Sequence, residues 1–386
     1  MHAWRAPRLR PTSSIGRPTR ESGIAYQVLG GENAHFIGFR APLPAAFVGF
    51  FRLGAVSGSS RGRPDEAAGH ARTWGMRRRA VAIIALAWIS VFAVVGVASV
   101  SGSAAKSAPR SAPSTNAFRG LGTWVDVYDY GPKFQSSPAS RPAVTAASID
   151  DMAHLGVKTV YVQAAQDDTR SDGFLADRKL VGDLLRRAHR RGVKVVAWYL
   201  PHFADVNRDL RHIEAMYRFE SGHQRFDGIA LDLEWTNDVP DATQRNRALL
   251  QLATRARRLI TRVPLGAIVL EPVLLDDINR AYWPNFPWRQ LRSSFDVWLP
   301  MSYWTNRSGA SGWNDGFRYA SENIRRVRAH LGESKAAVHV IGGIADHATP
   351  NDDAGFVRAA RQRGAIGWSI YDYVTTSSSA WPRLRP

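Results

Sequence analysis

From Phe118 to Pro386 the chain alternates short apolar runs of β-type composition with stretches whose apolar residues fall at helical spacing. That alternation is the tightest constraint on the fold. A strand followed by a helix, repeated, returns the chain to the same end of a sheet each time and so builds a parallel one. The spacing predicts strands over Gly122–Tyr128, Thr159–Gln163, Lys194–Leu200, Gly228–Leu233, Gly266–Glu271, Asp296–Met301, Ala337–Ile341 and Ile366–Tyr371. Between them, Leu180, Val181, Leu184, Leu185 and Ala188 make one helical stripe, and Leu249, Leu250, Ala253, Ala256 and Ile260 make another. Thr349-Pro350-Asn-Asp352 has the cap, first-turn proline and third-position acid of a helix start. Gly192 and Gly364 follow basic residues and precede strands, as helix ends do. Eight such units over this length predict an α/β chain folded as a (β/α)8 TIM barrel. A doubly wound sheet would bring a glycine-rich phosphate loop, and none follows any of these runs.

Upstream of the barrel the texture differs. Arg77-Arg78-Arg79 precedes an uncharged apolar run from Ala80 to Val100, and Gly102-Ser-Ala-Ala105 follows. Residues 76–105 therefore read as a membrane-targeting segment, either a signal peptide or an uncleaved anchor through residues 80–100. Arginines before the run and one lysine after it place the amino end inside and the remainder outside. Residues 1–75 are rich in Arg, Gly, Pro and Ala, without a sustained period. They read as a disordered extension or as sequence upstream of a true start at Met76. Residues 106–117, rich in Ser, Ala and Pro, read as a linker to the barrel domain at 118–386.

Net charge is +18, which raises a nucleic-acid reading. Its distribution argues against one. Residues 1–79 carry 13 Arg against 4 acids, while the other 307 residues carry 38 basic and 29 acidic groups. The barrel is thus mildly basic along helix faces such as Arg186-Arg187-Ala-His-Arg190-Arg191, and no nucleic-acid-binding signature accompanies the charge. No cysteine is present, which excludes disulfides, thiolate metal sites and cysteine nucleophiles. Metal ligation has no His-x-His or His-Glu-x-x-His pattern to stand on, and His202 and His347 are isolated. A serine hydrolase would need a Gly-x-Ser-x-Gly elbow, which is absent. No metal and no cofactor is expected.

Barrels of this class carry their active sites at the carboxyl ends of the strands. Those ends supply Trp124 and Asp126, Tyr161 and Gln163, Trp198, Asp232 and Glu234, Glu271, Met301 and Tyr303 with Trp304, and Trp368, Tyr371 and Asp372. Two of them stand out. In Phe226-Asp-Gly-Ile-Ala-Leu-Asp-Leu-Glu-Trp235, Asp232 and Glu234 lie two apart on an apolar strand and so share a face. Buried acids are costly unless paired, hydrogen-bonded or chemically engaged. Glycosidic hydrolysis calls for such a pair, an acid to protonate the leaving oxygen and a second group to stabilise positive charge. A second carboxylate from another strand end, Glu271 or Asp126, is an alternative partner for Glu234, and the separation would then decide retention or inversion. Trp124, Trp198, Trp235, Trp304, Trp313 and Trp368 form a set of flat faces suited to sugar rings. The glycine-rich loop Trp304–Trp313 is placed to close over a substrate.

Asp227-Gly-Ile-Ala-Leu-Asp232-Leu-Glu234 resembles the fourth-strand signature of glycoside hydrolase family 18, the chitinase-like hydrolases, which reads Asp-x-x-Asp-x-Asp-x-Glu. Leu299-Pro-Met301-Ser-Tyr303-Trp304 resembles that family's sixth-strand Met-x-Tyr-Asp, and Gly367-Trp368-Ser-Ile-Tyr371-Asp372 resembles its final strand. The resemblance implies that Glu234 is the general acid, that Asp232 orients a substrate N-acetyl group whose carbonyl oxygen is the nucleophile, and that Tyr303 hydrogen-bonds the same group. The departures are Ala230 in place of the second Asp, Trp304 in place of the sixth-strand Asp, and Val196-Ala-Trp198-Tyr-Leu-Pro201 in place of a Ser-x-Gly-Gly third strand. The expected function is an exported or membrane-anchored glycoside hydrolase acting on a polysaccharide or amino-sugar polymer. The alternative is a non-catalytic carbohydrate-binding barrel of the cell envelope.

Overall fold

The structure, a computed structural model, describes residues 113–386 apart from Pro138. The extension, the targeting segment and residues 106–112 of the linker lie outside the described residues. Among the described residues no helix is long and apolar enough to cross a membrane.

Eight parallel strands pair in chain order and close into a barrel, β8 returning to β1. They are β1 (Gly120–Val125), β2 (Thr159–Gln163), β3 (Lys194–Tyr199), β4 (Gly228–Leu233), β5 (Leu265–Val269), β6 (Val297–Ser302), β7 (His339–Gly343) and β8 (Gly367–Tyr371). The helices around them are α1 (Val127–Tyr130), α2 (Ser148–His154), α3 (Arg178–Arg190), α4 (Val206–Arg218), α5 (Ala242–Leu259), α6 (Trp288–Leu291), α7 (Gly316–Leu331), α8 (Pro350–Gln362) and α9 (Trp381–Leu384). The expected stripes face the barrel: Val181, Leu184, Leu185 and Ala188 on α3, and Leu249, Ala253 and Ala256 on α5, are buried. Thr349 and Asp352 close the expected capping box on α8. Gly192 and Gly364 take the left-handed conformation after α3 and α8, where a side chain would be strained.

Several boundaries shift. β1 stops at Val125 instead of running to Tyr128, because Asp126 turns the chain. Its carboxylate accepts the backbone N–H of Tyr128 at 2.7 Å and of Asp129 at 3.2 Å, and the Asp129 side chain accepts the Asp126 N–H at 3.0 Å. A capping box of this kind starts a helix where a strand was expected. β5 ends at Val269, leaving Glu271 just past the sheet. Before β1, Thr115–Phe118 forms a 3-10 turn that starts inside the stretch read as linker.

That turn delivers Phe118 into the bottom of the barrel, where it is fully buried. Glycines on the inward face make room for its ring: a Cβ at Gly266 would lie 2.8 Å from it. Above Phe118, the Trp124 ring stacks on Tyr161 at 4.3 Å, and the Trp124 indole donates to Ser369 Oγ at 2.8 Å. His339 reaches the same Ser369 Oγ at 2.9 Å, and burial pulls the His339 pKa down to about 4. The lower barrel is thus closed, and any site lies above this layer.

Candidate active site

Because Gly228 faces Phe118 inside the barrel, the two-residue period of β4 also turns Ala230 and Asp232 inward and leaves Ile229, Leu231 and Leu233 to the helices. Glu234 continues that row one step past the strand, where it is partly exposed at the mouth. Asp232 is 7% exposed and its Oδ1 has no hydrogen-bond partner among the described residues. The position that would flank it on β4 holds Ala230, which is fully buried and brings no polar atom. Burial, with the charge of Glu234 second, pushes the Asp232 carboxyl well above the usual carboxylate range. Burial, with the charge of Glu271 second, pushes Glu234 up to about 8. Glu234 is therefore protonated at neutral pH, the state in which a carboxyl can donate a proton.

Glu271 has a different environment. It is 1% exposed, and its Oε1 accepts from the Arg307 guanidinium at 2.5 Å and from the Tyr319 hydroxyl at 3.2 Å. Arg307 Nε in turn donates to the Tyr319 oxygen at 2.9 Å. Arg307 comes from the Trp304–Trp313 loop, which is pinned from outside as well: Arg318 lies 4.5 Å and Arg326 5.8 Å over the Trp313 ring. Tyr303, one step past β6, stands among these acids. Burial first, then Glu234, Asp232, Glu271 and Asp372, push its hydroxyl well above the ordinary value and keep it a neutral hydrogen-bond donor.

On the opposite side of the mouth, the Tyr371 hydroxyl donates to Asp126 Oδ2 at 3.0 Å. Burial, then Asp372, raise Asp126 to about 6. Asp372 accepts the Thr375 N–H at 2.8 Å and the Thr375 hydroxyl at 2.9 Å. Asp126, Asp129 and Asp372 bring one oxygen each within 4.8 Å of one another, a spacing that a metal ion could use. Their oxygens already hold the α1 cap, Tyr371 and Thr375.

The residues expected at the strand ends therefore divide. Asp232, Glu234, Glu271, Met301 and Tyr303 gather on the β4–β6 side, and Asp126, Tyr371 and Asp372 on the β8–β1 side. Trp124, Tyr161 and Trp198 are buried inside the barrel, Trp198 edge-on to Trp124 at 6.0 Å. Gln163 is taken up by structure, accepting the Val127 N–H and donating to Gln166. Trp304 and Trp368 are corrections: both point out of the barrel. Trp304 packs on Phe356 of α8 at 5.2 Å, and the Trp368 indole donates to the Leu384 carbonyl of α9 at 2.8 Å. Each occupies the outward phase of its strand, so neither reaches the mouth. Trp235, one residue past Glu234, is instead partly exposed and stacks on His202 at 4.6 Å. Arg307 and Tyr319 were not legible in the sequence. Arg307 sits in a loop and Tyr319 on the buried face of α7, and only the closed barrel brings them to Glu271.

No family model and no curated relative matches the sequence. Among solved structures the barrel is similar to a family 18 chitinase from Cycas revoluta determined with (GlcNAc)4, at 12% identity and a TM-score of 0.50 over 68% of this chain and 98% of that one. It also aligns with the spore cortex-lytic enzyme of Bacillus megaterium, at 8% identity and a TM-score of 0.47 over 69% of this chain and 73% of that one. A third alignment is to a family 1 β-glucosidase from Thermotoga maritima, at 11% identity and a TM-score of 0.48 over 69% of this chain and 96% of that one. At such identities the likeness is one of fold: the chain is an eight-stranded (β/α) barrel of the kind seen in the Cycas revoluta chitinase.

Proposed function

We propose that this protein is a glycoside hydrolase that cleaves a polysaccharide or amino-sugar polymer, with Glu234 as general acid and Asp232 as its buried partner. One observation carries the reading. Glu234 stands at the mouth with no protein hydrogen bond to its carboxyl among the described residues, and its pKa is raised to about 8. A carboxyl without a protein partner, protonated at neutral pH and open to a ligand, is fitted to protonate a glycosidic oxygen. Tyr303 adds a donor at the same place, and Trp235 with His202 adds a flat edge for a sugar. The apolar run at 80–100 supports action outside the cytoplasm, with the barrel secreted or held at the outer face of the membrane.

The missing partner at Ala230 favours one other reading, a barrel that binds glycans without cleaving them. The full chain, wild type and Glu234→Gln, incubated with chitin, peptidoglycan, chitosan, β-glucan and α-glucan, separates the two. Products from wild type alone establish the hydrolase. Glycan binding without products from either protein establishes the binding module, and equal activity in both refutes the role of Glu234.

A further inference from the structure

Glu234 needs a second carboxyl opposite it, and the structure offers one that the β4 motif does not contain. β4 and β5 are neighbours, with Leu233 in register with Val269, so Glu234 and Glu271 both stand just beyond adjacent strand ends. Parallel neighbours run about 4.8 Å apart. A retaining glycosidase holds its two carboxyls about 5–5.5 Å apart, a spacing within reach of side chains carried by neighbouring strand ends. Glu271 and Arg307 form an ion pair whose side chains are 2% and 4% exposed. Such a pair carries a desolvation cost, so it is weak evidence of a purely stabilising role. Oε1 takes both bonds from Arg307 and Tyr319, and no hydrogen bond among the described residues reaches Oε2. Asp232, by contrast, has no cation to hold it as an anion and no flanking acid at Ala230.

We propose that Glu271 is the nucleophile of this site, positioned by Arg307 and Tyr319, and that cleavage therefore does not require a 2-acetamido group on the sugar. The inference rests on the glycosidase reading. In the first step Glu234 gives its proton to the glycosidic oxygen and the C1–O bond breaks with its electron pair on that oxygen. The leaving sugar departs as an alcohol, and Oε2 of Glu271 forms an ester bond to C1. In the second step water attacks C1, its proton passes to the Glu234 carboxylate, and the C1–Oε2 bond breaks to restore the Glu271 carboxylate. Esterification removes the charge that helps hold the proton on Glu234, which lets Glu234 change from acid to base between the steps.

The test uses the full chain on the same polymers, where chitin and chitosan differ in the acetamido group. Expected are cleavage of at least one polymer after a residue lacking that group, loss of about 10³-fold or more in Glu271→Gln, and rescue of Glu271→Ala by sodium azide as a glycosyl azide of inverted configuration. Glu271→Asp, which retains a carboxylate for Arg307 but draws it back by one methylene, is expected to lose about 10²-fold and serves if the other variants do not fold. Arg307→Lys should retain more kcat than Arg307→Met, with KM little changed in both. Cleavage confined to N-acetylated residues overturns the proposal. So does a Glu271→Gln protein with near wild-type rate beside an inactive Glu234→Gln, which leaves the hydrolase reading intact. No cleavage of any polymer by wild type overturns both together.

Discussion

At the β8–β1 side of the mouth, Asp126, Asp129 and Asp372 lie within 4.8 Å of one another, yet their oxygens are occupied by backbone N–H groups, Tyr371 and Thr375. At the β4–β5 side, Asp232 and Glu234 have burial without hydrogen bonds, beside a Glu271 that Arg307 has claimed. Both sides bury acids in a barrel mouth. A carboxylate that caps a helix turn or anchors a hydroxyl has its free energy lowered by those bonds and is held to one geometry. A carboxyl left unbonded keeps its proton and its reach. On the proposed reading, occupancy of the oxygens, more than the number of acids, separates a scaffold side from a reactive side.

The largest expected effect tests that division directly. Glu234→Gln should lower kcat by about 10³-fold or more, while Asp126→Asn, which keeps an oxygen to cap α1, should lower it by less than about tenfold. Steady-state rates on one cleaved polymer decide it, and the reverse ranking would break the comparison.

Next comes pH. Activity should fall as pH rises through about 8, where Glu234 loses its proton. The same shift acts on stability. The folded state keeps the Glu234 proton up to about 8 while the unfolded chain releases it near 4.5, so wild-type stability drains as pH rises across that window. Glu234→Gln lacks this loss, and its advantage in Tm over wild type should grow from pH 4.5 to pH 8. For Asp126→Asn the corresponding window is narrower, from 3.8 to about 6. Thermal melts at pH 4, 6 and 8 show whether the two windows differ.

Smaller effects fall on the scaffold side. Asp126→Ala removes the α1 cap and the Tyr371 anchor and should cost about 1–2 kcal/mol, read as a shift in denaturation midpoint. Thr375→Ala should cost about 1 kcal/mol, because the lost hydroxyl donates to the Asp372 carboxylate and accepts the Asp372 N–H. A catalytic defect larger than the stability defect in Thr375→Ala would mean that Asp372 belongs to the reactive side.

Much of this barrel was legible beforehand because both periods are local. The stripe on α3, the Thr349 cap and the parity of β4 each follow from residues within a few positions of one another. The parity rule applied to the ends of β6 and β8 would also have turned Trp304 and Trp368 outward, had the phase of those strands been known. Fixing it takes an inward reference on each strand: Leu299, which meets the inward Gly266, and Ser369, which meets Trp124. The Asp126 cap was hidden for a related reason. An acid at the end of an apolar run reads as a site residue, and only the backbone turn after it shows the oxygens already in use.

The sequence by itself determined the α/β alternation, the eight strands and the pairing of Asp232 with Glu234 on one face, since these depend on spacing along one strand or one helix. Tertiary structure alone decided what surrounds those two acids. Arg307 and Tyr319 stand 36 and 48 positions from Glu271 and meet it only when the barrel closes. The proton affinity of Glu234 depends on that closure too, because exclusion of water and the field of a neighbouring strand's carboxylate are properties of the packed mouth, not of the chain.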